Sequence, residues 1–276
     1  MFIRLAYDIQ FEIPATVAMV ALLNVHPSRL HDLLEPDELQ IEPNIPVTNY
    51  IDSFGNRCAR FVAPKGPLRL SGSTLIQDSG YPDILNLAAR ESAVGDLPHQ
   101  VLSYLLNSRY CEVDRFSNIA FELFGNLDPG WGRVQYICNW VHNHVAFNYQ
   151  QARPTKTALD VFTERVGVCR DFQHLAITFC RALNIPARYA TGYLGDIGVP
   201  VVLPMDFSAW FEAWLDGRWW TFDARNSQPR IGRVLMATGR DASDVAITTA
   251  FGNADLRHFF VVTEEEIPPM AGTPVP

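Results

Sequence analysis

The chain has 276 residues, 48% of them apolar, and a formal charge of −8. That length admits one large domain or two smaller ones, with ample material for a packed core. The acidic balance without any basic cluster argues against nucleic acid as a partner, and the longest apolar run, 17–23, is far below the ~20 residues of a membrane-crossing helix.

From the N-terminus, Ile3, Leu5, Tyr7, Ile9, Phe11 and Ile13 alternate with Arg4, Ala6, Asp8, Gln10 and Glu12. Period two over that length predicts a half-buried strand. Shorter strand-like segments follow at 16–25, 47–51 and 58–63, separated by Pro, Asn, Gly and Asp, so residues 1 to about 90 read as mainly β. The spacing then turns helical at 100–106, 113–124, 132–144 and 157–165, broken at Gly125, Pro129, Gly130 and Pro154. A loose boundary near residue 95 follows. A further helix starts near Cys169 and is stopped by Asn184 and Pro186. Strand-like alternation returns beyond it, with a late strand around 256–263, and the tail 268–276 reads as a frayed end.

Five cysteines, at 58, 111, 138, 169 and 180, are odd in number, widely spaced and without a Cys-x-x-Cys pair. That pattern suits reduced thiols in a cytoplasm, and no basic-then-apolar secretion signal opens the chain. Cys169 has two readings. As the first residue of a stripe through Phe172, Ala176, Ile177, Cys180 and Leu183, it is an ordinary core residue. As a thiol at a helix N-terminus beside Arg170, it faces unpaired N–H groups that favour thiolate and could hold an oxyanion. His174 lies five residues along, about 140° around the helix, and so points away.

Residues 206–223 read DFSAWFEAWLDGRWWTFD, and Asp216-Gly217 between two aromatic stretches is a strong hairpin signal. Counting outward pairs Trp214 with Trp219, Glu212 with Thr221, Trp210 with Asp223 and Ser208 with Arg225. Ser208, Trp210, Asp223 and Arg225 then share one face, and Asp223 lies diagonally from Ser208, roughly 7–8 Å at the Cα level. An imidazole at 208 would reach that carboxylate, but the residue there is serine.

Gly167-Val168-Cys169-Arg170-Asp171, Asn184-Ile185-Pro186-Ala187-Arg188-Tyr189 with Gly192-Tyr193, Ala209-Trp210 and Phe222-Asp223 resemble the core of the bacterial transglutaminase-like superfamily. The resemblance covers about residues 100–235, and residues 1–90 are similar to the β-rich region ahead of this core in many bacterial members. It implies an α+β fold: a β-rich N-terminal domain, 1–95, then a papain-like core, 96–270, with the nucleophile at a helix N-terminus packed on an antiparallel sheet. By position, Cys169 is the implied nucleophile and Asp223 the residue that orients the base. Ser208 stands where the pattern has histidine. Trp210 and Tyr193 are expected to line the substrate groove, although cross-strand aromatic residues also simply cover a sheet.

A hydroxyl is a poor proton acceptor for a thiol at pH 7, and a general base typically contributes ~10²–10⁴ in rate. Among the other candidates, nothing in the spacing aims His142, His144 or His258 at Cys169, and Glu212 shares the Ser208 face. Two functions are therefore carried forward. One is a cysteine hydrolase or acyl transferase working on peptide or protein substrates through a thioester on Cys169. The other is a pseudoenzyme that keeps the cleft as a binding module. Neither metal nor organic cofactor is expected: Asp241, Asp244 and Asp255 lack calcium-loop spacing, and the glycine-rich 192–198 stretch follows a strand without opening a helix.

Overall fold

The computed structural model describes residues 1–266. In chain order the strands and α-helices are β1 (Phe2–Ile13), β2 (Val17–Ala21), β3 (Gln40–Glu42), β4 (Val47–Ile51), β5 (Arg57–Ala63), β6 (Gly66–Gln77), α1 (Ser117–Phe124), α2 (Trp131–His144), β7 (Ala146–Phe147), α3 (Ala158–Glu164), β8 (Val166–Gly167), α4 (Cys169–Ala182), β9 (Ala187–Leu194), β10 (Phe207–Leu215), β11 (Arg218–Phe222), β12 (Arg233–Gly239), β13 (Thr248–Ala250) and β14 (Asp255–Glu266). Short 3-10 turns fill part of the stretch between β6 and α1. No described helix is long and apolar enough to cross a membrane.

The alternation of β1 is realised, with Ile3, Leu5, Ile9 and Ile13 fully shielded. Two sheets, ordered β14-β1-β6-β3 and β13-β2-β5-β4, share one apolar cluster through these residues and Met19, Phe61 and Leu70. A third sheet, β11-β10-β9-β12, carries α4 against β9 and β10, while α1, α2 and α3 pack on the same helix. Helix and antiparallel sheet thus form the α+β core that the sequence implies.

The boundary expected near residue 95 needs correction, because 1–95 and 96–270 are not two contiguous units. Strand β14 pairs with β1 from Phe2↔Glu266 to Glu12↔Asp255, and β13 pairs with β2. A strand shielded on one face still exposes hydrogen-bonding edges on both sides; β6 satisfies one edge of β1, and the far end of the chain satisfies the other. Strand β6 is not among the segments that the sequence pattern marks as strand. The frayed end expected at 268–276 lies outside the described residues.

Helix α4 is the mechanical centre. From Asp171 to Ala182 every residue of it is buried, on the predicted stripe and off it, and polar residues on the remaining faces are bonded rather than solvated. Thr178 donates to the His174 carbonyl at 2.7 Å. The buried Arg181 guanidinium donates to the carbonyls of Ala187, Leu106 and Arg240. The helix ends as predicted: Asn184 takes a left-handed φ of 63°, and the Ile185 N–H returns to the Cys180 carbonyl at 2.9 Å.

Candidate active site

The start of α4 is built around one carboxylate. Asp171 reaches back to accept the Val168 N–H at 3.0 Å, supplying the cap that valine itself lacks. Gly167 makes this possible, since a Cβ there would meet Asp171 Cβ at 2.7 Å and Oδ2 at 2.9 Å. The Arg170 side chain folds onto Asp171 at 3.1 Å and onto the Arg153 carbonyl at 2.7 Å, so its charge is committed locally.

Cys169 is the one cysteine of the five with an intermediate exposure; Cys58, Cys111, Cys138 and Cys180 are buried, and all five are unpaired. Cys169 lines a cleft of about 160 Å³ together with Ser208, Asp206, Tyr149 and Asn226. Cys169 and Ser208 thus lie on the wall of one cleft. The hairpin register holds at Leu215↔Arg218, Trp214↔Trp219 and Glu212↔Thr221, around a turn whose Asp216 and Gly217 both have positive φ. Pairing stops at Phe211↔Phe222, so the expected Trp210–Asp223 and Ser208–Arg225 pairs do not form.

Asp223 opens a turn instead. Its carboxylate accepts the N–H groups of Arg225 at 2.9 Å and Asn226 at 3.0 Å, the Asn226 amide at 2.8 Å and the Gln173 amide at 3.1 Å. Arg233 completes the set at 2.8 Å. Burial alone would raise the Asp223 carboxyl, but the Arg233 charge and the Asn226 bonds hold it below its ordinary value. The side chain that Asp223 holds here is that of Asn226, a residue of the cleft wall.

Trp210 and Tyr193 require correction as groove residues. Trp210 shares the face of Ser208 but sits one step along β10, shielded by Arg233 at 5.2 Å, where it lines a separate cavity of about 320 Å³. Tyr193 packs on Phe207 at 5.1 Å within the apolar cluster of the two N-terminal sheets. Glu212 is engaged by Arg188 at 2.5 Å.

None of the residues lining the cleft is a histidine. His142 bonds the Arg225 carbonyl, and His144 bonds that of Phe162 while stacking on Trp140 at 4.2 Å. His258 stands on β14 opposite Gln10. His174 lies behind the helix as expected: it accepts the Ala242 N–H at 3.1 Å, and burial pushes it down to about 3, so the ring is neutral.

The group missed by the sequence reading is Asp206. It lies immediately ahead of β10, two residues before Ser208, so the alternation of that strand carried backward is the signal available. Burial pushes its carboxyl up to about 6, opposed only by the N–H of Phe207. The Cys169 thiol is pushed up to about 12, first by burial and then by the Asp206 charge, with the Arg170 N–H acting against the rise. The assembled surroundings thus oppose ionisation of the sulfur despite its place at the helix N-terminus. Gln173 is a second omission; it ties α4 to the ribbon by donating to the Ala209 carbonyl at 3.2 Å and accepting the Ala224 N–H at 3.1 Å.

A family model described as the transglutaminase-like superfamily matches residues 117–224, the segment that carries α1 through Asp223. A candidate cysteine protease from Cytophaga hutchinsonii, solved as a crystal structure, is 30% identical, with a TM-score of 0.83 over 98% of this chain and 93% of that one. The chain belongs to the transglutaminase-like superfamily. An uncharacterised protein of Mycobacterium leprae is 28% identical over 216 residues, 73% of this chain and 76% of that one. Membership in this superfamily makes the chain one of the general hydrolase or acyl-transferase kind.

Proposed function

We propose that the protein transfers acyl groups from peptide or protein amides through a thioester on Cys169, with Ser208 in the position where the family pattern has its histidine. The observation that carries this reading is Cys169, at the start of a helix buried from Asp171 onward and on the wall of a cleft that Phe207 and Ser208 of β10 also line. Sulfur attacks the amide carbon, the amine leaves, and water or a second amine releases the acyl group. A cytoplasmic setting belongs to the same reading, supported by five unpaired thiols.

A second reading, a binding module without turnover, draws on the serine at 208 and on the thiol's resistance to ionisation. The two separate on dimethylated casein, whose blocked amines leave a clean background. Acyl transfer by water releases ammonia or new α-amino groups, and the enzyme reading expects that release to vanish in Cys169→Ala. Equal background from wild type and Cys169→Ala, with both folded, would sink it. In the enzyme reading Ser208→His should also raise the rate, since the cleft then gains an imidazole beside the sulfur.

A further inference from the structure

Attack by a thiol requires somewhere for its proton to go. We infer that Asp206 takes the proton from Cys169 and returns it to the leaving amine, acting as the general base that Ser208 is not. This rests on the thiol-dependent reading above and adds the group that makes it workable.

Asp206 and Cys169 line the same cleft, one from the residue just ahead of β10 and the other from the start of α4. A third group reports the same convergence: Tyr149 is raised by burial, then by Asp206, then by Cys169. The carboxylate is partly buried, yet no described side chain forms an ion pair with it. Shielded carboxylates are ordinarily paired.

The charged neighbours that might have neutralised it are all occupied. Arg225 lies over the Phe147 ring at 4.1 Å. Arg230 donates to the Gly195 carbonyl, Asp196 and Asn226. Arg170 is held by Asp171. Asp196, the other acid on the cleft wall, is engaged by Arg230 and by the Val202 N–H. Asp223 has Arg233 and four further donors. Among the described residues, the Phe207 N–H is the group that opposes the rise of Asp206, and Cys169 shares its cleft.

The proton balance closes within the pair. As the C–S bond forms, the S–H proton passes to the Asp206 carboxylate and the carbonyl electron pair moves to oxygen. When that pair returns, the C–N bond breaks, and Asp206 gives its proton to the departing nitrogen. Water or an incoming amine then loses a proton to Asp206 as it attacks the thioester, and the proton finally returns to sulfur. Part of what raises the thiol is the charge of Asp206 itself. Moving the proton onto that carboxylate therefore relieves the repulsion that opposed ionisation.

Asp206→Asn separates this role from a structural one, because two readouts should move in opposite directions. Iodoacetamide alkylation of Cys169 at pH 8, followed by mass spectrometry, should become faster by roughly tenfold or more, since a negative neighbour is gone. Release of ammonia and α-amino groups from dimethylated casein should fall by about 10²-fold or more. The wild-type rate should also rise with pH through about 6 and then level off, as Asp206 ionises, and Asp206→Glu should retain such a limb. Should Asp206→Asn fail to fold, the wild-type profile and Asp206→Glu decide.

Cys169-dependent release that survives Asp206→Asn within twofold overturns the role of Asp206 and leaves the proposed function standing. The same holds for a wild-type rate flat between pH 5 and 7. Absence of any Cys169-dependent release overturns both.

Discussion

A carboxylate held away from water without a cation destabilises the folded state whenever it is ionised, and Asp206 is such a group. Its folded value, about 6, exceeds its ordinary 3.8. The linkage sign follows: the favourable contribution is fully present below about pH 4 and is lost as pH rises through 6. For a fully shielded group that shift corresponds to roughly 3 kcal/mol, which wetting at the cleft rim reduces to ~1–2 kcal/mol. Asp206→Asn should accordingly stabilise the protein by ~1–2 kcal/mol at pH 8 and by almost nothing at pH 4, read from urea unfolding at the two pH values. An equal change at both would show that Asp206 is not desolvated as described. Asp223 is the counterexample within the same site, a buried acid kept ionised by Arg233 and by N–H donors.

Helix α4 positions the sulfur, and Gln173 fixes the helix to the ribbon by three bonds, to the Ala209 carbonyl, the Asp223 carboxylate and the Ala224 N–H. Gln173→Met keeps the length of the side chain but leaves the Ala224 N–H buried without that partner. A loss of about 2–4 kcal/mol in urea unfolding is expected. A loss below about 0.5 kcal/mol would mean that the tether is dispensable. At this scale much was legible in the sequence. The limits of α4, its left-handed stop at Asn184 and the Asp216-Gly217 turn are local chemistry that residue types announce directly. The hairpin register was readable as far as Phe222 and then failed, because Asp223 prefers to accept the following N–H groups over continuing a ladder. Asp206 was within reach of the same alternation that placed Ser208, but its missing counter-ion depends on where Arg225 and Arg230 go. Gln173 resembles any surface glutamine until the packing of α4 on every side is known.

Across the whole molecule, the last strands complete the first sheets. Cutting the chain at residue 95 would strip β1 of β14 and β2 of β13, and would uncover Tyr193, Phe207, Val234 and Met236, which belong to the apolar cluster of the N-terminal sheets. No local pattern at residues 2–13 reveals a partner at 255–266, so the texture of the sequence alone puts a boundary near 95. The shared cluster argues for one cooperative unit. All six tryptophans lie between residues 131 and 220, so their fluorescence reports the helix-and-sheet core, while far-UV circular dichroism also registers the long strands β1, β6 and β14. Urea unfolding curves from the two probes should coincide, with the same midpoint and slope. Separate midpoints would show that the N-terminal sheets open independently of the cleft. In that case the Phe207–Phe259 contact at 5.8 Å, which joins the start of β10 to β14 beside Asp206, would not be coupling the late strand to the site.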